Sequence, residues 1–131
     1  MKQNSKLKTF ILDDDTLILK IIASFLTDYA SEKGCGIAIR SITDPIEALA
    51  ELESQGDRYD LIILDVRISA ISGSDIYATM LSTYPRLSQK TLFSTGYSHE
   101  LSARFPDQQL RIIEKPFRYE QFVRSIHPII G

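Results

Sequence analysis

One cysteine, Cys35, and two histidines, His99 and His127, are all the soft metal-binding chemistry in 131 residues. An internal disulfide needs a second thiol, and a thiolate or imidazole metal centre needs a cluster of such ligands, so the sequence excludes both. Cys35 stands between Gly34 and Gly36 without a basic neighbour to activate it, which fits a turn residue rather than a reactive thiol. Long apolar runs are missing too. Nothing approaches the roughly 18 residues of a membrane span, and the stretch Thr9-Phe10-Ile11-Leu12 stops at three aspartates, too early for a signal-peptide core. Neither sign of charge dominates: 15 basic against 17 acidic residues leave a formal net charge of -2, with no basic block. Nucleic acid and anionic membranes are therefore not expected partners, membrane insertion is not expected, and the chain reads as a soluble, cytoplasmic protein.

What is present is enough apolar material, 44% of residues, for one respectable core. No linker, repeat or low-complexity segment interrupts it, so a single domain over residues 1–131 is expected. Short apolar runs alternate with helix-period segments, the pattern of an α/β fold with a parallel sheet. Five strands are predicted at Leu7–Asp13, Ile37–Ile42, Tyr59–Asp65, Thr91–Thr95 and Leu110–Ile113, and five helices fall between and after them. The first helix spans about Thr16–Glu32 and stops at Gly34. The second opens with Asp44-Pro45-Ile46-Glu47, an N-cap, a first-turn proline and a glutamate placed for a capping box. The third carries Ile76, Tyr77, Met80, Leu81 and Tyr84 and ends before Pro85; the fourth is a short one near Ser98–Arg104; the fifth runs over Tyr119–His127 and ends before Pro128.

The first, third and fourth strands end on residues able to do chemistry, and in open parallel sheets ligands bind outside the carboxyl ends of the strands. Asp13, Asp14 and Asp15 follow the first strand directly. Asp15 stands where a helix N-cap belongs. Asp13 and Asp14 read either as solvated loop carboxylates or as crowded anions that a hard divalent cation with oxygen ligands would neutralise. Asp65 closes Asp60-Leu61-Ile62-Ile63-Leu64-Asp65, a near-continuous apolar run of the kind buried on both faces. A carboxylate there can attack phosphorus if a metal and a lysine draw charge from the transferring group. Thr95 offers a hydroxyl at the next strand end and Lys115 a fixed positive charge. Pro116 constrains the chain after that lysine, and a cis Lys115–Pro116 bond would aim it inward.

These pieces, in order Phe10-Ile11-Leu12-Asp13-Asp14-Asp15, Asp60 to Asp65 with Gly73 eight residues on, Ser94-Thr95-Gly96-Tyr97 and Glu114-Lys115-Pro116-Phe117, resemble the receiver domain of two-component signalling over nearly the full chain. The resemblance implies a flavodoxin-like, doubly wound five-stranded parallel sheet of order 2-1-3-4-5. It also implies roles: Asp65 as phosphoacceptor, Asp14 and Asp65 as direct Mg²⁺ ligands, and Asp13 as a ligand mainly through water. The Arg67 backbone carbonyl becomes the third protein ligand, Thr95 the switch hydroxyl, and Lys115 the cation that pairs with Asp65 and then with the phosphoryl group. The implied partners are a histidine kinase or histidine phosphotransfer protein and an unidentified downstream protein. The implied chemistry is limited to the domain's own phosphotransfer and slow dephosphorylation.

The sequence also departs from that family. Ile68-Ser69 replaces the usual Met-Pro after the phosphoacceptor, and Phe105-Pro106-Asp107-Gln108-Gln109 replaces a Gly-Ala pair. Ile112 stands where a rotating Tyr or Phe usually partners the threonine, so the usual coupling from Thr95 to the surface cannot operate in its familiar form. Arg67 and Tyr97 occupy positions that in the family shape water access to the acyl phosphate; their bulk reads either as a device for a long-lived phosphate or, for Arg67, as a side chain that simply points to solvent. Two other functions compete. One is a phosphatase of the haloacid-dehalogenase type using Asp13 as nucleophile, which the short chain and missing later acidic pair disfavour. The other is a degenerate receiver serving only as a binding scaffold.

Overall fold

The computed structural model describes residues 6–66 and 73–131. Five parallel strands form one sheet in the order β2-β1-β3-β4-β5: β1 is Lys6–Leu12, β2 Gly36–Ile42, β3 Leu61–Asp65, β4 Thr91–Thr95 and β5 Ile112–Glu114. Among the described residues five α-helices accompany them: α1 Thr16–Lys33, α2 Pro45–Gln55, α3 Gly73–Thr83, α4 Ser98–Arg104 and α5 Tyr119–Ile130. The expected order and helix count are both observed.

Side chains along a strand alternate between faces, and here the alternation sorts the core into two layers. Leu61 and Ile63 of β3 join Ile22, Leu26, Phe122 and Ile126 under α1 and α5. Ile62 and Leu64 join Ala48, Leu52, Ile76, Met80 and Leu101 under α2, α3 and α4. Every residue of β3 is buried, which explains its unbroken apolar sequence. Register then brings the functional strand ends level: Asp65 lies opposite Ser94, and Thr95 opposite Glu114.

Helix ends follow their local chemistry. The Asp15 carboxylate accepts from the Leu17 N–H at 2.9 Å and caps α1. Gly34 closes that helix in the left-handed conformation (φ 69°) while the Cys35 N–H donates to the Ala30 carbonyl at 3.0 Å. Asp44 accepts from the Glu47 N–H at 3.2 Å, whereas the Glu47 carboxylate, expected to complete a capping box, pairs instead with Arg40 at 3.4 Å.

Several boundaries differ from expectation. β1 stops at Leu12, one residue before Asp13, and β3 begins at Leu61 rather than Tyr59, because a 3-10 turn over Gly56–Arg58 precedes it. A second 3-10 turn, Pro85–Lys90, leads into β4. β5 is shifted to Ile112–Glu114. Pro128 does not end α5: the helix continues to Ile130. Here the proline removes the donor that would bond the Arg124 carbonyl and crowds that carbonyl, a cost that burial of Ile130 in the α1–α5 core offsets.

Gly73 opens α3 against the backbone of the phosphoacceptor candidate. A Cβ at this position would stand 1.8 Å from the Asp65 carbonyl oxygen, so no side chain fits without moving a backbone.

Two stability outcomes follow. Phe122→Ala, a cavity in the α1–α5 core, should cost about 3–5 kcal/mol in urea denaturation, whereas Leu17→Ala, at an exposed position, should stay within about 0.5 kcal/mol. Gly73→Ala should cost at least about 2 kcal/mol through the backbone clash, read from the same denaturation midpoint.

Candidate functional site

Each functional side chain lies at, or just beyond, the carboxyl end of a strand. Asp13 follows β1, and its N–H donates to the Ile42 carbonyl at 3.2 Å, which ties it to the end of β2. Its side chain is buried: one oxygen accepts from the Asp15 N–H at 2.9 Å, the other from the Lys115 ammonium at 2.8 Å. Asp14 is exposed beside it, and Asp65 is buried at the end of β3. One oxygen from each of Asp13, Asp14 and Asp65 falls within 4.8 Å of the others.

Lys115 follows β5, and its N–H donates to the Thr95 carbonyl at 2.9 Å, so β4 positions the lysine backbone. The Lys115–Pro116 bond is cis, as the proline suggested. The ammonium lies between two carboxylates, 2.8 Å from Asp13 and 3.4 Å from Asp65. Burial disfavours the charged amine, but the Asp13 hydrogen bond and the charges of Asp13 and Asp65 outweigh it, holding the pKa above the usual lysine value. The expected first partner was Asp65; the closer one is Asp13, the more deeply buried acid.

Thr95 is fully buried, and its hydroxyl oxygen accepts from the Tyr97 N–H at 2.8 Å, a short local turn. Tyr97 itself is 45% exposed at the start of α4. Beside it, the Ser98 hydroxyl donates to the Glu114 carboxylate. Arg67, Ile68 and Ser69 fall outside the described residues. Ile112 packs half-buried against the α2–α4 side of the core, as do Phe105 and Leu110. Rings are nonetheless present there: Tyr77 meets Phe93 edge-on at 4.9 Å and Phe105 at 5.0 Å.

One set of contacts escaped the sequence reading. Arg104, at the end of α4, donates from one guanidinium nitrogen to the Ser74 hydroxyl and to the Asp75 carboxylate, both at 2.7 Å. These partners are about thirty positions away on α3, and no periodicity marks such a pair.

Chemically, three hard oxygen donors beside a cation suit a divalent metal with oxygen ligands. Among the described residues no helix is long and apolar enough to cross a membrane.

The family model of the response regulator receiver domain matches residues 9–127. A response regulator receiver domain protein from Clostridium thermocellum superposes with a TM-score of 0.78, covering 95% of this chain and 94% of that one at 19% identity. A second structure is the receiver domain of a sensor histidine kinase from Pseudomonas aeruginosa PAO1, with a magnesium ion coordinated in its active site cleft. It gives a TM-score of 0.76 over 96% of this chain and 98% of that one, at 17% identity. At these identities the structural likeness speaks for the fold. A sensor kinase of Brucella abortus (strain 2308), CckA, is 25% identical over 97 residues, which are 72% of this chain and 10% of that protein. The chain thus spans about a tenth of that relative's length. With the family pattern running through β1 to α5 and its strand-end residues gathered in one crevice, the chain belongs to the response regulator receiver domain family.

Proposed function

We propose that this chain accepts a phosphoryl group on Asp65 and signals through the change in charge and shape that follows. The observation that carries this reading is the gathering of Asp13, Asp14 and Asp65 within 4.8 Å around a lysine that touches two of them.

Mg²⁺ fits the donor set, with Asp13, Asp14 and Asp65 as its holders and the Arg67 carbonyl as a further ligand proposed from the family resemblance. When bound, the ion supplies neutralising charge for a phosphoryl group. The remaining work belongs to the chain. An Asp65 carboxylate oxygen attacks phosphorus, forming a P–O bond as the P–N bond of a donor phosphohistidine breaks. The imidazole leaves neutral once protonated. Lys115 is close enough to shift its ammonium onto a phosphoryl oxygen, and the Thr95 hydroxyl exchanges its bond with the Tyr97 N–H for one to the same group. Loss of the phosphoryl group to water returns the carboxylate and inorganic phosphate. The kinase relatives support a histidine kinase or histidine phosphotransfer protein as donor; the downstream partner is a protein.

A phosphatase using Asp13 as nucleophile is the competing reading, and Asp13 is tied by its two oxygens to the Asp15 N–H and the Lys115 ammonium.

Incubation with a small phosphoramidate and Mg²⁺ should add one phosphoryl mass, mapped to Asp65 and absent in Asp65→Asn. Lys115→Ala should slow labelling roughly 10²-fold. Label on Asp13 would favour the phosphatase, and no label at all the scaffold. Saturating Mg²⁺ should raise the melting temperature, since a ligand at 100 times its dissociation constant stabilises by about 2.7 kcal/mol. Asp14→Ala should remove most of that rise. In metal-free buffer Asp14→Asn should raise the melting temperature instead, by relieving carboxylate crowding.

A further inference from the structure

Helix α4 is tied to the start of α3 through a polar clamp. One Arg104 nitrogen donates at 2.7 Å both to the Ser74 hydroxyl, which is buried, and to the Asp75 carboxylate, which is half-exposed. Its guanidinium also lies over the Phe105 ring at 5.4 Å, which orients the arginine from its own side. Phe105 in turn meets Tyr77 of α3, so the clamp is backed by a ring contact between the same two segments.

What the clamp holds is the first turn of α3, and that turn begins with Gly73. Its α-carbon is so close to the phosphoacceptor backbone that a Cβ would approach the Asp65 carbonyl oxygen to 1.8 Å and its carbonyl carbon to 2.7 Å. There is no slack between the start of α3 and Asp65. On the opposite side, α4 begins three residues beyond Thr95. Arg104 therefore closes a ring: Asp65, Gly73, Ser74 and Asp75, Arg104, then back along α4 to Thr95. The two strand ends proposed to handle the phosphoryl group are joined by backbone packing at one point and by this arginine at another.

We propose that Arg104 is a positioning residue for Asp65, which through Ser74 and Asp75 holds Gly73 against the Asp65 carbonyl and so couples α4 to the phosphoacceptor. The coupling runs both ways, as linkage requires: a change at Asp65 alters the clamp, and loss of the clamp alters Asp65. It deepens the phosphoacceptor reading and rests on it only for the first direction. It also gives α4 a connection to the site that needs no aromatic ring at Ile112. A half-exposed ion pair adds little to global stability, so the clamp can open without unfolding the domain.

Hydrogen exchange separates the two directions. In the metal-free, unmodified protein, Arg104→Ala should speed exchange at the Val66 amide and across α4 by about three- to tenfold, a local opening, with the urea midpoint nearly unchanged. Arg104→Lys, which keeps a cation, should recover part of the protection, and Asp75→Asn should reproduce part of the loss. With Mg²⁺ and beryllofluoride as phosphoryl mimic, α4 exchange should change in the wild type and respond less than about twofold in Arg104→Ala. Labelling by phosphoramidate should slow about threefold or more in Arg104→Ala, with the adduct mapped by mass in each sample. Unaltered Val66 exchange in Arg104→Ala would overturn the proposal, as would an unaltered α4 response with Asp65 demonstrably labelled. A wild type that shows the clamp effect on Val66 but takes no label supports the clamp and sinks the phosphoacceptor reading alone.

Discussion

The ammonium of Lys115, wedged 2.8 Å from Asp13 and 3.4 Å from Asp65, is the interaction on which the carboxyl end of the sheet depends. Two buried carboxylates and an exposed third within 4.8 Å would repel one another. The half-buried Lys115 ammonium relieves part of that repulsion and leaves a net negative crevice, which is the condition for attracting a divalent ion. The backbone secures the lysine: its N–H bonds to the Thr95 carbonyl, so the last hydrogen bond between β4 and the chain beyond β5 also sets the charge in the crevice. The parallel order β2-β1-β3-β4-β5 exists, from this viewpoint, to bring four strand ends to one edge where this balance can be struck.

Much of that arrangement was legible in the sequence because chemistry follows directly on apolar strands. Asp13, Asp14, Asp65, Thr95 and Lys115 each stand at the end of a short hydrophobic run, and period-2 or continuous burial makes such runs readable. The Asp15 cap, the Asp44-Pro45 start of α2 and the Gly34 stop were legible for a similar reason: each uses one residue type for one local conformation. Strand order came from the family likeness, since periodicity does not encode which strands pair.

Features set by distant contacts were not legible. The helix running past Pro128 depends on where Ile130 is buried, a tertiary effect that overrides the local breaker. Glu47 prefers Arg40 on the neighbouring strand to its own cap. Lys115 lies closer to Asp13 than to Asp65, a choice made by three-dimensional burial across 102 positions of sequence. The Arg104 contacts with Ser74 and Asp75 belong to this class as well, and so do the edge-on contacts of Tyr77 with Phe93 and Phe105.

The sheet acts as a septum between two unlike layers. On the α1–α5 side, Phe25 is in ring contact with Phe117, Tyr119 and Phe122. On the other side, α4 is short and is joined to α3 by rings and an arginine at the surface. Among the described residues no buried side chain belongs to both layers. The molecule is thus lopsided: on one side the helices are held by interlocked rings beneath them, and on the other a short helix is tied to its neighbour partly at the surface.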